Sequence, residues 1–327
     1  MLGSKSLKLP PLDARIPKWN LDNLIVRNCP ICNSPDAHTA YERPDDLNVR
    51  ICNKCYTFFV SPSPSDKQLQ AFYEGYDEKH RRAPRISPKE LAASYKGVDP
   101  FADLRIRELS SLMKFETSRV LDIGFGRASV LYSPKKLGAI PFGLELDAQA
   151  IEFAKFLGIG VFQGNIAGFV SETKYDLITL LDLLEHPLNP MDILRKSSEL
   201  LQRGGFLAIW TPNGDFVSLE KNLTTFRVDL EHMQYFTPDT CLFIASELKL
   251  RVFHLETLGF PYLQDIDKPL SKNEMPLPLT KRIIKSIPGV STVNNFRHKL
   301  FENKQVENKQ DERNGAYHLF CIMQKST

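Results

Sequence analysis

Val120-Leu121-Asp122-Ile123-Gly124-Phe125-Gly126-Arg127-Ala128 decides the reading of this chain. Val120 to Ile123 is a short, largely apolar run with the length of a buried strand. Two glycines follow, spaced by one residue, so the backbone can turn tightly and lie close to a ligand before a helix begins.

Outward from this motif the pattern repeats. Pro141 to Leu146, Ile159 to Gln163, Tyr175 to Leu181 and Phe206 to Thr211 read as further strands. Helical spacing fills the gaps between them. Asp147 is an N-cap for Ile151, Ala154 and Leu157, and Gly158 is the stop. Asn189-Pro190 opens a helix with the buried stripe Ile193, Leu194, Ser197, Leu200 and Leu201, which Gly204-Gly205 is expected to end. Helical spacing returns near Thr237 to Leu248, and Leu250 to Thr257 and Ala316 to Gln324 read as strands. Strands alternating with helices of this length predict an α/β fold, Rossmann-like and doubly wound.

A glycine pair alone does not separate one nucleotide ligand from another. Two features do. The third glycine of a dinucleotide fingerprint would fall at Ser129, and a carboxylate, Asp122, stands just before Gly124. A carboxylate there repels a pyrophosphate, whose binding uses bare N–H groups at a helix N-terminus. It favours the cationic amino-acid end of S-adenosylmethionine. Glu145, closing the second strand, can accept hydrogen bonds from both ribose hydroxyls. Asn165 can accept one from the adenine amino group, with an ordinary turn asparagine as the competing reading.

These segments together resemble the class I S-adenosylmethionine-dependent methyltransferases, over about residues 116 to 260 and again at the last strand. VLDIGFGRA is similar to the family's glycine motif, with Ala128 in place of its third glycine. PFGLELD is similar to the ribose segment and QGNI to the adenine segment, while YDLITLLDLLEHPLNPMDILRKSSELLQRGGFLAIWTPN resembles the fourth strand, its helix and the fifth strand. The resemblance implies a seven-stranded sheet whose last strand is antiparallel. It implies S-adenosylmethionine as cofactor, held by Asp122, Gly124, Gly126, Glu145, Leu146, Asn165, Ile166 and Leu181.

Residues 1–65 read differently: rich in Pro, Asn and Cys, without an apolar core, and closed by the linker Ser61-Pro62-Ser63-Pro64-Ser65. Cys29-Pro30-Ile31-Cys32 and Cys52-Asn53-Lys54-Cys55 are two CxxC knuckles separated by residues 33–51. That pattern predicts a small zinc-ribbon-like segment with one tetrahedral zinc ion. Four thiolates leave no open position for substrate, so the zinc is read as structural, and His38 as a loop residue. Residues 66–115 are expected to form a helical linker and cofactor lid, with Leu69, Phe72 and Tyr73 on one face and Tyr73 and Tyr76 as lid candidates. Residues 77 to 90 read as loop, Phe101 to Lys114 as helix, and 116–327 as the methyltransferase domain with an insertion at about 260–313. The order of ribbon, SPSP linker, QLQAFYEGY and domain is similar to bacterial methyltransferases that modify sugars, polysaccharides or secondary metabolites.

Methyl transfer to a hydroxyl needs a base, and histidine titrates in the right range. His186, in Glu185-His186 after the fourth strand, and His232, in Glu231-His232 after the fifth, are the catalytic candidates. The competing reading is that both hold loops together. The expected function is O-methylation of a small sugar-like or secondary-metabolite acceptor. One alternative is an RNA methyltransferase gripping nucleic acid through the ribbon; another is a non-catalytic binding protein. With 42 Lys and Arg against 39 Asp and Glu, a net charge of +3 does not argue for nucleic acid, and Arg50 and Lys54 are nearly isolated in the ribbon. No run approaches the ~20 apolar residues of a membrane span, and the default expectation is a cytoplasmic protein.

Overall fold

The computed structural model describes residues 7–12, 15–74, 87–215, 223–259 and 316–326. Tyr76 and the expected insertion at 260–313 lie outside them. β1 (Leu7–Lys8), β2 (Ala37–Glu42), β3 (Asn48–Cys52) and β4 (Phe58–Val60) come first. The helices α1 (Asp66–Tyr73), α2 (Pro88–Tyr95) and α3 (Leu104–Leu112) follow.

Next come β5 (Arg119–Ile123), α4 (Ser129–Lys136), β6 (Ile140–Glu145), α5 (Ala148–Phe156), β7 (Gly160–Gln163) and β8 (Tyr175–Leu181). The chain continues through α6 (Pro190–Leu200), β9 (Leu201–Pro212), β10 (Gln234–Tyr235), α7 (Pro238–Glu247), β11 (Leu250–Leu258) and β12 (His318–Lys325).

Seven strands form one sheet in the order β11-β12-β9-β8-β5-β6-β7, with β12 antiparallel to both neighbours and β9 through β7 parallel. The expected doubly wound sheet with an antiparallel last strand is therefore present. Alternation along the strands buries both faces. Leu121, Ile123, Ile178, Leu180, Leu207 and Ile209 meet α6 and α7, whereas Val120, Leu177, Phe206 and Ala208 meet α3, α4 and α5. β5 lies between β8 and β6, so the turn after it opens at the switch point where the winding reverses. Ligands bind there in open α/β sheets.

Three local expectations are corrected. Gly204-Gly205 does not end α6; the helix stops at Leu200, and Leu201 already pairs with Tyr175 in β9. A Cβ on Gly205 would come within 2.9 Å of the Tyr175 carbonyl, so the glycine serves close strand approach rather than helix termination. Within the stretch read as loop, Pro88 starts α2. Ser87 and Glu90 form a reciprocal capping box at its N-terminus, a signal legible as Ser-Pro-Lys-Glu.

The third correction concerns residues 1–65, which do share an apolar core. β1 to β4 form a second sheet that takes β10 as its edge partner, in the order β1-β2-β3-β4-β10. Leu9, Tyr41, Val49, Ile51 and Phe58 pack with Leu223, Phe226 and Tyr235, all buried. Cys29, Cys52, Cys55 and Phe59 belong to the core cluster that also contains Cys241 and Ile244 of α7. The core these residues lack in sequence is supplied by the chain beyond β9. No helix among the described residues is long and apolar enough to cross a membrane.

Candidate functional site

The turn after β5 is left-handed at three alternate positions, Gly124 (φ +75°), Gly126 (φ +50°) and Ala128 (φ +59°). A Cβ on Gly124 would stand 3.0 Å from Leu183 Cδ1, which shows how tightly the loop after β8 lies on this turn. Ala128, buried, sits at the N-cap of α4 with no side-chain cap, leaving the helix N-terminus to other acceptors. Glu145 reaches across from the end of β6. Its carboxylate accepts the Gly126 N–H at 3.0 Å and the Leu146 and Asp147 N–H groups at 2.6 and 3.2 Å. The acid and the glycine turn are thus one hydrogen-bonded unit.

Asp122 is more enclosed than a surface charge. It is 2% exposed and accepts the Thr179 hydroxyl at 2.8 Å. Burial pushes its carboxyl up to about 7; Thr179 and Arg105 oppose that rise, while Glu145 and Asp182 add to it. The acid read as facing a cation thus lies behind the turn, where burial disfavours its charge.

Arg105 was not foreseen from the sequence. It projects from α3, pairs with Asp103 at 2.7 Å, lies 5.3 Å from the Trp210 ring centroid and is electrostatically coupled to Asp122 and Asp182. Its only sequence signal was an arginine in the helix that precedes the glycine motif.

Leu146, next to Glu145, is 68% exposed, an apolar side chain held open at the sheet edge. Asn165 follows β7 at the same edge. Its side-chain oxygen accepts the Gly168 N–H at 3.1 Å and caps a short 3-10 turn, a use that leaves it one further lone pair. Ile166 is buried within that turn and Leu181 is buried at the end of β8.

The two histidines, separate in sequence, stand together. The rings of His186 and His232 are 4.8 Å apart between centroids in an edge-to-face arrangement. Tyr73, at the end of α1, places its hydroxyl 2.7 Å from His186 Nδ1. Tyr73, a lid candidate from the sequence, therefore stands beside His186. Glu185 is 1% exposed, accepts the Thr211 hydroxyl at 2.9 Å and lies 4.0 Å from His186 Nε2; burial holds its carboxyl well above the usual range. Glu185, His186 and His232 offer ligand atoms within 4.8 Å of one another, so this cluster can share protons or hold a divalent cation.

The four N-terminal cysteines converge as the spacing predicts. Sγ atoms of Cys29 and Cys55, and of Cys32 and Cys52, are 3.4 Å apart, and all four lie within 4.8 Å of one another. Zinc–sulfur bonds of about 2.3 Å in a tetrahedron require sulfurs about 3.8 Å apart, so the residues fit a zinc ion. None of the four forms a disulfide. His38 lies on β2 against Asn53 and is not among them.

Comparison with known proteins gives a consistent picture. The profile of a family described as "Methyltransferase domain" matches residues 77–252. A ubiquinone biosynthesis O-methyltransferase from Shewanella halifaxensis is 26% identical over 160 residues, 44% of this chain and 67% of that protein. The protein of the same name from Glaesserella parasuis is 34% identical over 107 residues, covering 29% of this chain and 45% of that one. The chain thus spans roughly half to two thirds of the length of these curated relatives. Among solved structures, a SAM-dependent methyltransferase from Archaeoglobus fulgidus aligns with 71% of this chain and 96% of its own, at 20% identity and a TM-score of 0.45.

Proposed function

The chain belongs to the methyltransferase-domain family, with the S-adenosylmethionine-dependent class I fold, and we propose that it methylates a hydroxyl oxygen on a small molecule. The observation that carries this reading is the meeting of His186, from the loop whose Leu183 lies against the glycine turn, with His232 from the loop before β10 and Tyr73 from the end of α1. Methyl transfer from a sulfonium is an in-line displacement, so the protein's tasks are alignment, exclusion of water and removal of the acceptor proton.

In this reading the donor's ribose is held by Glu145 and its adenine lies against Leu146, Ile166 and Asn165. Its ammonium faces the region of Asp122, and its carboxylate faces Arg105. The donor supplies an electrophilic methyl group at the mouth of the turn. His186 is the base, through Nε2, because Tyr73 already engages Nδ1. His232 and Glu185 set the charge around it. The curated relatives named for O-methylation support oxygen as the acceptor atom, and the sequence order of ribbon, SPSP linker and domain, similar to that of methyltransferases acting on sugars or secondary metabolites, supports an acceptor of that kind. The four cysteines would hold a structural zinc, since four thiolates leave it no open position.

The test is incubation with donor carrying a labelled methyl group and a metabolite extract, followed by identification of the labelled product. An O-methylated small molecule is expected. Label recovered in RNA, or donor binding with no product from any pool, overturns the proposal.

A further inference from the structure

Each histidine loop has a backbone bond of its own, His186 N–H to the Leu183 carbonyl and His232 N–H to the Asp229 carbonyl, and the two loops are also tied to one another. His186 lies in the loop after β8 and His232 in the loop before β10, and the two are joined by backbone and by one side chain. Met233 N–H donates to the Glu185 carbonyl at 2.8 Å, and Gln234 Nε2 donates to the Leu184 and Pro187 carbonyls at 2.5 and 2.7 Å. Gln234 is fully buried, so its remaining oxygen needs a donor.

That donor comes from the cysteine segment. Arg27, two residues before Cys29, donates Nη2 to Gln234 Oε1 at 3.1 Å and to the Met233 carbonyl at 2.5 Å. Its Nη1 donates to the Leu188 carbonyl at 3.0 Å, and its Nε to Val60 at 2.9 Å. One planar guanidinium therefore grips both histidine loops and the end of β4, which only a rigid five-donor fork can do.

A second arginine works from the β2–β3 turn. Arg43, 0% exposed, donates to the carbonyls of His232 and Leu230 and to the Tyr235 hydroxyl while Asp45 pairs with it on two bonds. Arg43 is fixed by Asp45 and cannot be removed without leaving that buried acid with the Trp19 indole N–H but no charge partner. Arg27 makes none of its four bonds to a carboxylate, which makes it the testable member of the pair.

We infer that Arg27 is a positioning residue: from the cysteine-held segment it sets the loops that carry His186 and His232, making that segment part of the acceptor site. The inference rests on the proposed role of those histidines in methyl transfer, but the contacts it invokes do not depend on turnover. A shift of about 1 Å at a catalytic group costs on the order of 100-fold in rate, and none of the residues assigned to the donor touches Arg27 in the bonds described.

The test uses the full chain labelled with nitrogen-15 at histidine, with the His186 and His232 imidazole signals assigned from H186N and H232N. In Arg27→Met, both sets of signals should move, and their titration midpoints with them. Donor affinity by calorimetry should stay within about twofold, and kcat should fall on the order of 100-fold. Arg27→Lys, which keeps the charge without the fork, should recover part of the shift. If Arg27→Met does not fold, Arg27→Gln is judged by the same criteria, since the shorter amide cannot reach all four acceptors. Unmoved imidazole signals in a folded variant overturn the inference, even where turnover drops. If the parent protein turns over no acceptor, the functional reading fails while the imidazole signals still decide the role of Arg27.

Discussion

Thr179 on β8 donates its hydroxyl to Asp122 on β5 across 2.8 Å, inside the sheet and just before the glycine turn. This bond favours the ionised acid against burial, which holds the Asp122 carboxyl at about 7, with Arg105 helping and Glu145 and Asp182 opposing. A cation arriving at the turn favours the carboxylate further and lowers that value. Donor binding should therefore release protons near neutrality and tighten as pH rises from 6 to 8, by at most about tenfold per pH unit. Calorimetry in buffers of different ionisation heat measures the release. In the ligand-free protein the sign is opposite: an acid raised from 3.8 to about 7 contributes stability that fades as pH rises through that window. Asp122→Asn should flatten both dependences, and a variant that keeps the proton release would assign it elsewhere.

Thr179→Val separates the bond from the charge. It keeps the shape and removes the hydroxyl that donates to Asp122, raising that acid's pKa further. Donor affinity at pH 7 should weaken by about 1 kcal/mol, roughly fivefold, and recover at pH 9. No recovery at high pH would mean the hydroxyl acts by packing.

Glu145 ties the acid at the end of β6 to the Gly126 N–H. Glu145→Ala should cost both the proposed ribose contacts and this tether. A charged hydrogen bond contributes about 1.5–3 kcal/mol, so a loss of ten- to a hundredfold in donor affinity is expected. Adenine binding alone, measured with the free base, should change little.

Ala128 stands left-handed and fully buried at a position where the family's motif has glycine. Relief of the left-handed cost, about 1–2 kcal/mol, is offset in glycine by about 0.5–1 kcal/mol of chain entropy and about 0.8 kcal/mol for a lost buried methyl. Ala128→Gly should therefore unfold within about 1 kcal/mol of the parent. Ala128→Val should lose well over that, because β-branching makes left-handed backbone a true outlier. Denaturant melts of the two variants decide it.

The cysteine site can be tested through the whole molecule. Cys29, Cys52 and Cys55 belong to the same core cluster as α7 and the main sheet. Cys52→Ser should abolish a one-to-one zinc content measured by elemental analysis and lower the melting temperature of a single cooperative transition. Two separate transitions, with the main one unmoved, would show that the segment folds independently.

Much of this was legible in the linear chain. Short-range chemistry reveals itself locally: a strand of Val120 to Ile123 followed by glycines must turn, Asp147 and Gly158 bracket a helix, and two CxxC knuckles bring four sulfurs to one point. Errors arose where local signals served a distant purpose. Gly204-Gly205 looked like a helix stop because glycine usually is one; its true constraint is the Tyr175 carbonyl of the neighbouring strand.

By itself, then, the sequence determined the parallel strands, the glycine turn with Glu145 beside it, and the sulfur cluster, since each is built from residues near one another along the chain. Only the tertiary structure decided that Arg105 faces Asp122, that His186 meets His232, and that Arg27 and Arg43 bind their loops from the other end of the chain. The last of these depends on β10, from beyond β9, completing the edge of the N-terminal sheet beside β4. Docking is set by shape, burial and the pairing of buried polar groups across long separations, which no periodicity along the chain records.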